Sequence, residues 1–282
     1  MKRKFLVLLT VFSLILGGNL FAQTVNARQL DEAINSGNVT FVSANGAGNI
    51  NSVTGRLRNN TANEIMINVV INNGMYLANS GRGQNMLAQA VYQEGFQYYS
   101  SGTTRYIRLP ANNTTNIVFS ALCANRALDT PALNHSFSLA SMPANLRTMS
   151  TSLSTYYAAN FGRNIFSVIQ LALWRNQGEN VLDIINTINF TFDDWQASSA
   201  LLGITDPPPV NIVSGTYSYS SMYTLTITGS SFTMNWGGTN YTGTYFVIGN
   251  NLALQATNGT LFGFLVNSPT ELMDADRDIW RR

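Results

Sequence analysis

The sequence contains few of the residues that carry catalytic or metal chemistry. Among its 282 residues are one cysteine, Cys123, and one histidine, His135. A structural zinc site needs about four Cys or His ligands, and an internal disulfide needs two cysteines, so the composition excludes both. A Ser-His-Asp triad or a Cys–His dyad would have to use His135, which lies in a turn-like stretch without a supporting motif. We therefore predict a non-enzymatic protein with no cofactor and no bound metal.

Charge is also scarce, and lysine is absent after position 4. Lys2, Arg3 and Lys4 leave the rest of the chain with 13 Arg against 14 Asp plus Glu, a net charge of −1. Only 11% of the residues are charged, whereas about 25% is average, and 34 asparagines contribute to solvation instead. Nucleic acids bind to clustered basic faces, which this sequence lacks. A nucleic-acid partner is therefore excluded.

The first residues have the pattern of a secretory signal peptide. Lys2-Arg3-Lys4 is followed by an apolar stretch from Phe5 to Leu16 and by a glycine-containing break before Ala22. We predict a signal peptide at residues 1–22 and export to the periplasm, the cell surface or the medium. No later run reaches the roughly 18 apolar residues that a membrane-spanning helix needs, so no transmembrane segment is expected.

Three consecutive prolines in Thr205–Val210 mark the clearest domain boundary, because neither a helix nor a central strand tolerates them. We predict a first domain at 23–204, a proline-rich linker at 205–210 and a second domain at 211–282. In the second domain, apolar residues alternate with Thr and Asn between Gly-containing turns. This pattern predicts an all-β antiparallel meander of five to seven strands, closed or nearly closed into a small barrel.

The first domain contains two kinds of sequence pattern, one typical of strands and one typical of helices. From Val39 to Leu122 the chain suits strands separated by Asn/Gly turns, with an apolar strand at Ile65–Ile71 and a turn at Asn72–Gly74. Later the apolar spacing becomes helical, and Asn164 and Asp193 are candidate helix caps. We expect an α+β domain in which a β-sandwich-like layer is joined by a late helical cluster. The predicted helices, including a short early one, are 26–36, 144–159, 164–177 and 193–202.

One amide, Gln170, lies within the apolar run Val168–Trp174. The predicted helix is apolar on most sides and should be buried, and a buried amide without partners costs about 1–3 kcal/mol. One possibility is that Gln170 bonds to backbone at a strand end or loop. The other is that the thiolate of Cys123 displaces ammonia from the amide. That reaction would leave an internal thioester, an electrophile that amines or hydroxyls of a partner can attack.

Gln170-Leu-Ala-Leu-Trp174 resembles the Gln-x-Ala-apolar-Trp motif of bacterial surface thioester domains. Phe119-Ser-Ala-Leu-Cys123 is similar to the segment that carries their cysteine. The resemblance implies that Cys123 is the thiol partner, Gln170 the acyl donor and Trp174 the aromatic residue of the motif. The sequence departs from that pattern at Ile169, where the motif has threonine, and in the short separation of the pair.

Two further resemblances cover more of the chain. The same cysteine and glutamine pattern, preceded by Gln84-Asn85-Met86, resembles exported bacterial β-sandwich domains of unknown function, which implies no chemistry. Residues 211–282, with Gly-Thr-Tyr at 215–217 and 243–245 and Trp280 near the end, are similar to small lipocalin-like domains of exported bacterial proteins.

Two other features remain as candidates. Five aromatic residues crowd one strand region, a composition typical of binding faces and equally natural in strands; they are Tyr92, Phe96, Tyr98, Tyr99 and Tyr106. The acidic stretch Asp274–Asp278 imitates the first half of a calcium-binding loop but has Ile279 where the turn glycine belongs. We interpret that stretch as a solvated C-terminal segment.

These observations favour an exported, non-enzymatic binding or surface-interaction protein. Its partner is expected to be a protein or a glycan at the cell surface. A first alternative is a covalent adhesin with an internal Cys123–Gln170 thioester. A second is binding of a small apolar ligand inside the 211–282 barrel, which requires an interior cavity.

Overall fold

The computed structural model describes residues 25–128 and 130–282. The predicted signal peptide, residues 1–22, lies outside the described residues. The chain forms two compact units. One comprises the described residues up to Val42 together with Arg56–Val69 and Val91–Val118, and the other comprises Ser43–Gly55, Val70–Ala90 and Phe119–Arg282. The fold is mostly antiparallel β with a few helices, which agrees with the predicted combination of α+β and all-β parts.

Six strands form a closed, barrel-like sheet in the order β1-β2-β8-β5-β4-β9, in which β9 pairs with both β1 and β4. The sequence predicted a sandwich-like layer, and the structure instead closes these strands into a ring. Alternation along a strand does not distinguish the two, because both need one inward apolar face. The strands are β1 (Val39–Gly46), β2 (Ser52–Asn59), β4 (Val70–Asn79), β5 (Met86–Gln93), β8 (Thr114–Cys123) and β9 (Ser136–Leu139).

The predicted turn at Asn72–Gly74 is wrong, because these residues lie inside β4. The pairing of β4 with β5 shifts register between Val70 and Met75. Gly74 has φ +64° within this irregularity, a conformation that glycine adopts without steric cost. The Asn-Asn-Gly signal therefore marks a bulge rather than a chain reversal.

A separate three-stranded sheet belongs to the first unit and has the order β3-β7-β6. It consists of β3 (Ile65–Asn68), β6 (Tyr99–Ser101) and β7 (Thr104–Leu109). Directly paired residues share a face of an antiparallel sheet. Two such pairs, Met66 with Arg108 and Tyr99 with Tyr106, lie on one face. The opposite face carries the buried residues Ile65, Ile67, Ile107 and Leu109.

The C-terminal region forms a closed antiparallel barrel in which consecutive strands pair and β10 returns to β17. Closure was predicted, but the predicted number of strands was too low, because the last two have three residues each and show no clear alternation. Side chains of the barrel itself fill the interior, including Tyr217, Phe264 and Trp280. The strands are β10 (Gly215–Ser220), β11 (Tyr223–Thr228), β12 (Ser231–Trp236), β13 (Thr239–Ile248), β14 (Asn251–Ala256), β15 (Leu261–Ser268), β16 (Glu271–Met273) and β17 (Ile279–Arg281).

The helices largely follow the predicted spacing. In the second unit, α2 packs against β4 and α3, and α3 packs against α5. The described chain holds α1 (Leu30–Asn35), α2 (Ala144–Ala159), α3 (Phe166–Asn176), α4 (Val181–Ile185) and α5 (Phe192–Leu202). None of the helices in the described residues is both long enough and apolar enough to cross a membrane.

Both predicted helix caps are wrong. Helix α3 begins after Ile165, whose side chain makes no cap hydrogen bond, so Asn164 is not its cap. Helix α5 is capped by Thr191 rather than Asp193. The Thr191 hydroxyl accepts the Asp194 N–H at 3.1 Å, and the Asp194 carboxylate accepts the Thr191 N–H at 2.9 Å. This reciprocal capping box satisfies two backbone donors that the helix leaves unpaired.

The proline-rich segment 205–210 contains no helix or strand, and it is anchored near both ends. Asp206 accepts hydrogen bonds from Arg175 Nη2 at 2.6 Å and from Trp195 Nε1 at 2.9 Å. The Arg175 guanidinium lies 3.8 Å from the centre of the Trp195 ring. At the other end, Val210 N donates to Gly249 O at 2.8 Å. These contacts fix the segment to helices α3 and α5 and to the β13–β14 turn.

Candidate functional site

The end of β8 and the middle of α3 bring Cys123 and Gln170 together. Gln170 Oε1 accepts the Cys123 N–H at 2.9 Å, and Gln170 Nε2 donates to Cys123 O at 3.0 Å. Both residues are fully buried. The prediction that Gln170 bonds to backbone at a strand end is therefore confirmed, and the strand end is that of the cysteine.

Trp174 of α3 and Gln177, which directly follows the helix, bind the same piece of backbone. Trp174 Nε1 donates to Cys123 O at 2.9 Å, and Gln177 Nε2 donates to Ala124 O at 2.9 Å. Residues 170, 174 and 177 follow the spacing of one helix face. Gln177 was not predicted, although its position seven residues after Gln170 places it on the same helix face. These three side chains form what we call the α3 lock, which satisfies backbone groups that β8 leaves unpaired where it ends.

The Cys123 thiol points elsewhere, and its Sγ donates to Ile50 O at 3.3 Å. Burial raises the pKa of the thiol to about 12, so at neutral pH the thiol is protonated and weakly nucleophilic. Thioester formation would require attack by Cys123 sulfur on the side-chain amide carbon of Gln170. In the arrangement observed, both heteroatoms of that amide are hydrogen-bonded to the Cys123 backbone, so the geometry is that of a structural lock.

His135 lies in a turn, as its sequence context predicted. Its Nδ1 is 3.2 Å from the backbone nitrogen of Ala132 and 3.3 Å from Asn79 Nδ2. Both neighbours are hydrogen-bond donors, and Nδ1 accepts the N–H of Ala132. The imidazole thus holds together the turn in which it sits.

The prediction that Asp274–Asp278 is solvated is wrong for Asp274, which is buried. Its Oδ1 accepts the N–H groups of Asp276 at 3.0 Å and Asp278 at 2.9 Å, and its Oδ2 accepts Trp280 Nε1 at 3.0 Å. Three donors offset the cost of burying the carboxylate. No group of three or more His, Cys, Asp or Glu in the described residues is arranged to hold a metal ion.

The five aromatic residues of the 92–106 region divide into buried and exposed members. Tyr92 and Tyr106 are buried, whereas Phe96, Tyr98 and Tyr99 are 50%, 44% and 43% exposed. We call residues 96–99 the aromatic segment. It lies in a continuous run of exposed residues from 94 to 100.

The exposed aromatic rings contact the two buried ones. The centre of the Tyr92 ring is 5.5 Å from that of Phe96 and 6.2 Å from that of Tyr98. Tyr99 stacks on Tyr106 at 5.8 Å, and the Arg108 guanidinium lies 4.7 Å from the centre of the Tyr99 ring. Such contacts restrict the rings while leaving much of their surface in solvent.

Phe96 is held in an uncommon backbone conformation, with φ +59° directly after Gly95 at φ +74°. For a bulky residue this left-handed conformation costs about 1–3 kcal/mol, and such strain concentrates at functional sites. This conformation is not predictable from the sequence, because no residue-type signal distinguishes Phe96 from an ordinary strand residue.

Comparison with known proteins gives no family assignment. No family model matches the chain, and no curated protein matches it. A solved structure, Streptomyces albus HEPD with 2-hydroxyethylphosphonate and Fe(II) bound, aligns at 10% identity with a TM-score of 0.12. The alignment covers 84% of this chain and 61% of that chain. A likeness this low carries no argument about fold or function.

Proposed function

We propose that this chain is an exported, non-enzymatic surface-interaction protein that binds a partner protein through the aromatic segment. The observation that carries the proposal is the exposure of three large aromatic side chains within four consecutive residues. Scattered single apolar residues are ordinary on protein surfaces, whereas clustered ones mark interaction sites.

The composition around the segment favours a protein partner over a glycan. Protein interfaces are enriched in Tyr, Phe, Met and Arg and depleted in Lys. Met66, Tyr99 and Arg108 lie on the same face of the three-stranded sheet, and the chain has no lysine after position 4. Aromatic and arginine side chains are also the residues that most often dominate binding energy in alanine scans.

The strained backbone at Phe96 supports the same reading. Rings that are already held in place by Tyr92 and Tyr106 lose less conformational freedom on association. Restricting a binding group before it meets its partner reduces the free-energy cost of binding. The strain thus has a use that a purely structural turn would not need.

The proposal is tested with a partner identified from extracellular fractions by cross-linking and then purified. Its affinity is measured against wild type and against Tyr99→Ala, which should weaken binding by about tenfold or more. Tyr219→Ala is the matched control, since Tyr219 is 50% exposed, close to the 43% of Tyr99, but lies in β10 of the C-terminal barrel. Equal effects of the two substitutions, or binding only to glycans, would contradict the proposal.

A second candidate function, covalent adhesion, draws support from one observation. Cys123 and Gln170 are 47 residues apart in sequence and in direct contact in the fold. The hydrogen bonds of the α3 lock and the protonated thiol favour the non-covalent reading. The two readings differ by one molecule of ammonia in the mass of the mature chain.

Ligand binding inside the C-terminal barrel has no such support. The interior is occupied by the barrel's own aromatic and aliphatic side chains, with Phe264, Leu272 and Trp280 fully buried. A filled small barrel leaves no room for a ligand.

A further inference from the structure

A cavity of about 530 Å³ lies within the first unit. Pockets for small molecules typically have volumes of about 300–1,000 Å³, so its size suits a ligand. Its lining residues include Arg28, Glu64, three asparagines (Asn26, Asn38 and Asn63) and the apolar residues Val25 and Met66.

The backbone of Arg28 is fixed beside β3. Arg28 N donates to Met66 O at 2.9 Å, and Asn68 N donates to Arg28 O at 2.8 Å. These two bonds hold the base of a cationic side chain against the strand that forms part of the cavity lining. A guanidinium presents several donors in one plane and binds a carboxylate through paired hydrogen bonds.

Glu64 supplies the opposite charge. Its Oε1 lies 3.8 Å from Arg108 Nε, and both side chains are about 40% exposed. An exposed ion pair at this distance contributes little, so a ligand ammonium group can compete for the carboxylate. The cavity therefore presents one cationic group, one anionic group and an apolar surface.

We propose that this cavity binds a zwitterionic α-amino acid, with the carboxylate at Arg28, the ammonium at Glu64 and an apolar side chain against Val25 and Met66. The neighbouring asparagine amides can donate to the carboxylate or accept from the ammonium. This site goes beyond the proposed function, because it involves neither the aromatic segment nor a partner protein.

The test uses isothermal titration of the mature chain with L-leucine, leucinamide and N-acetyl-leucine. The last two keep only the cationic or only the anionic group, so each should bind at least about tenfold more weakly than L-leucine. Arg28→Gln should weaken L-leucine and N-acetyl-leucine and spare leucinamide. Glu64→Gln should weaken L-leucine and leucinamide and spare N-acetyl-leucine. Arg58→Gln and Glu94→Gln, at residues outside the cavity lining, should change none of these affinities.

The proposal is overturned if L-leucine shows no saturable binding at millimolar concentration. It is also overturned if the Arg28→Gln and Glu64→Gln variants bind L-leucine as tightly as wild type does. Circular dichroism melting of each variant confirms that the chain is folded. Because Tyr99→Ala leaves the cavity lining intact, it should retain L-leucine binding, so failure here and failure of the proposed function can be told apart.

Discussion

The side chain of Gln170 pairs with both backbone polar groups of Cys123, accepting from its N–H at 2.9 Å and donating to its carbonyl at 3.0 Å. The amide thereby extends the hydrogen bonding of β8 beyond the last strand partner. A glutamine in an apolar helix is explained by the backbone that it satisfies, and no reaction at its carbonyl carbon is needed.

Replacing Gln170 should therefore lower stability. Gln170→Ala leaves the Cys123 N–H buried without an acceptor and should cost about 1–3 kcal/mol of unfolding free energy. Urea denaturation measures the loss. Gln196→Ala, at an exposed position of α5, is the control and should change stability by less than about 0.5 kcal/mol. Equal costs at the two positions would show that the α3 lock contributes nothing.

Cys123 predicts a loss of stability in alkali. Burial raises its thiol pKa from 9.0 to about 12, so the unfolded chain releases this proton first as the pH rises. The stabilisation is complete below pH 9 and decreases from there towards pH 12, at about 1 kcal/mol per pH unit.

The control for this pH dependence is Cys123→Ala. Burial also raises the pKa of Tyr76 and Tyr217, and their contributions remain in the variant. Urea titrations at several pH values should therefore give a shallower alkaline decline for Cys123→Ala than for wild type. Parallel declines would contradict the buried, protonated thiol.

The hydrogen bonds of Arg175 predict that replacing it with lysine destabilises the fold. Arg175 Nη1 donates to Ser198 Oγ at 2.6 Å and Ser199 Oγ at 2.8 Å, while Nη2 reaches Asp206. An ammonium cannot span these acceptors, so Arg175→Lys should cost about 1–3 kcal/mol. Arg281→Lys, whose pair with Glu271 is largely exposed, should cost less than about 1 kcal/mol. Thermal unfolding compares them, and an equal loss would count against the network.

The positive φ of Phe96 predicts that glycine is more stable than alanine at this position, the reverse of the order expected at an ordinary position. Both Phe96→Ala and Phe96→Gly remove the ring, but at φ +59° glycine should be the more stable by about 1 kcal/mol. At Tyr98, which does not have a positive φ, alanine should be at least as stable as glycine. Chemical denaturation of the four variants tests this, and a more stable Phe96→Ala would remove the strain argument.

Regular periodicity made part of the fold predictable. The predicted helix at 144–159 is confirmed. It was predictable because the helical spacing of its apolar residues extends over sixteen residues. The five residues of Val181–Ile185 span little more than one helical turn, too short for a period to show. Closure of the first sheet into a ring depends on which strands pair at its edges. The residue pattern of a single strand does not indicate its pairing partners.

The site was predictable to the same degree. Gln170 was expected to need a hydrogen-bond partner because it lies in an apolar run. Backbone at a strand end was one of the predicted partners, and the end of β8 is such a place. Ile50 O, which accepts the thiol hydrogen, could not be identified, because it is brought there by the tertiary fold alone. Asp274 was predicted to be solvated because the sequence shows its acidic neighbours. The sequence does not show the hydrogen bond that Asp274 accepts from Trp280 Nε1.

The intact mass of the purified chain tests the account most directly. With Gln170 hydrogen-bonded to the Cys123 backbone and the thiol donating to Ile50, we predict the full mass and one thiol that reacts only after unfolding. A mass lower by one ammonia, absent in Cys123→Ala, would contradict this account and establish the covalent reading.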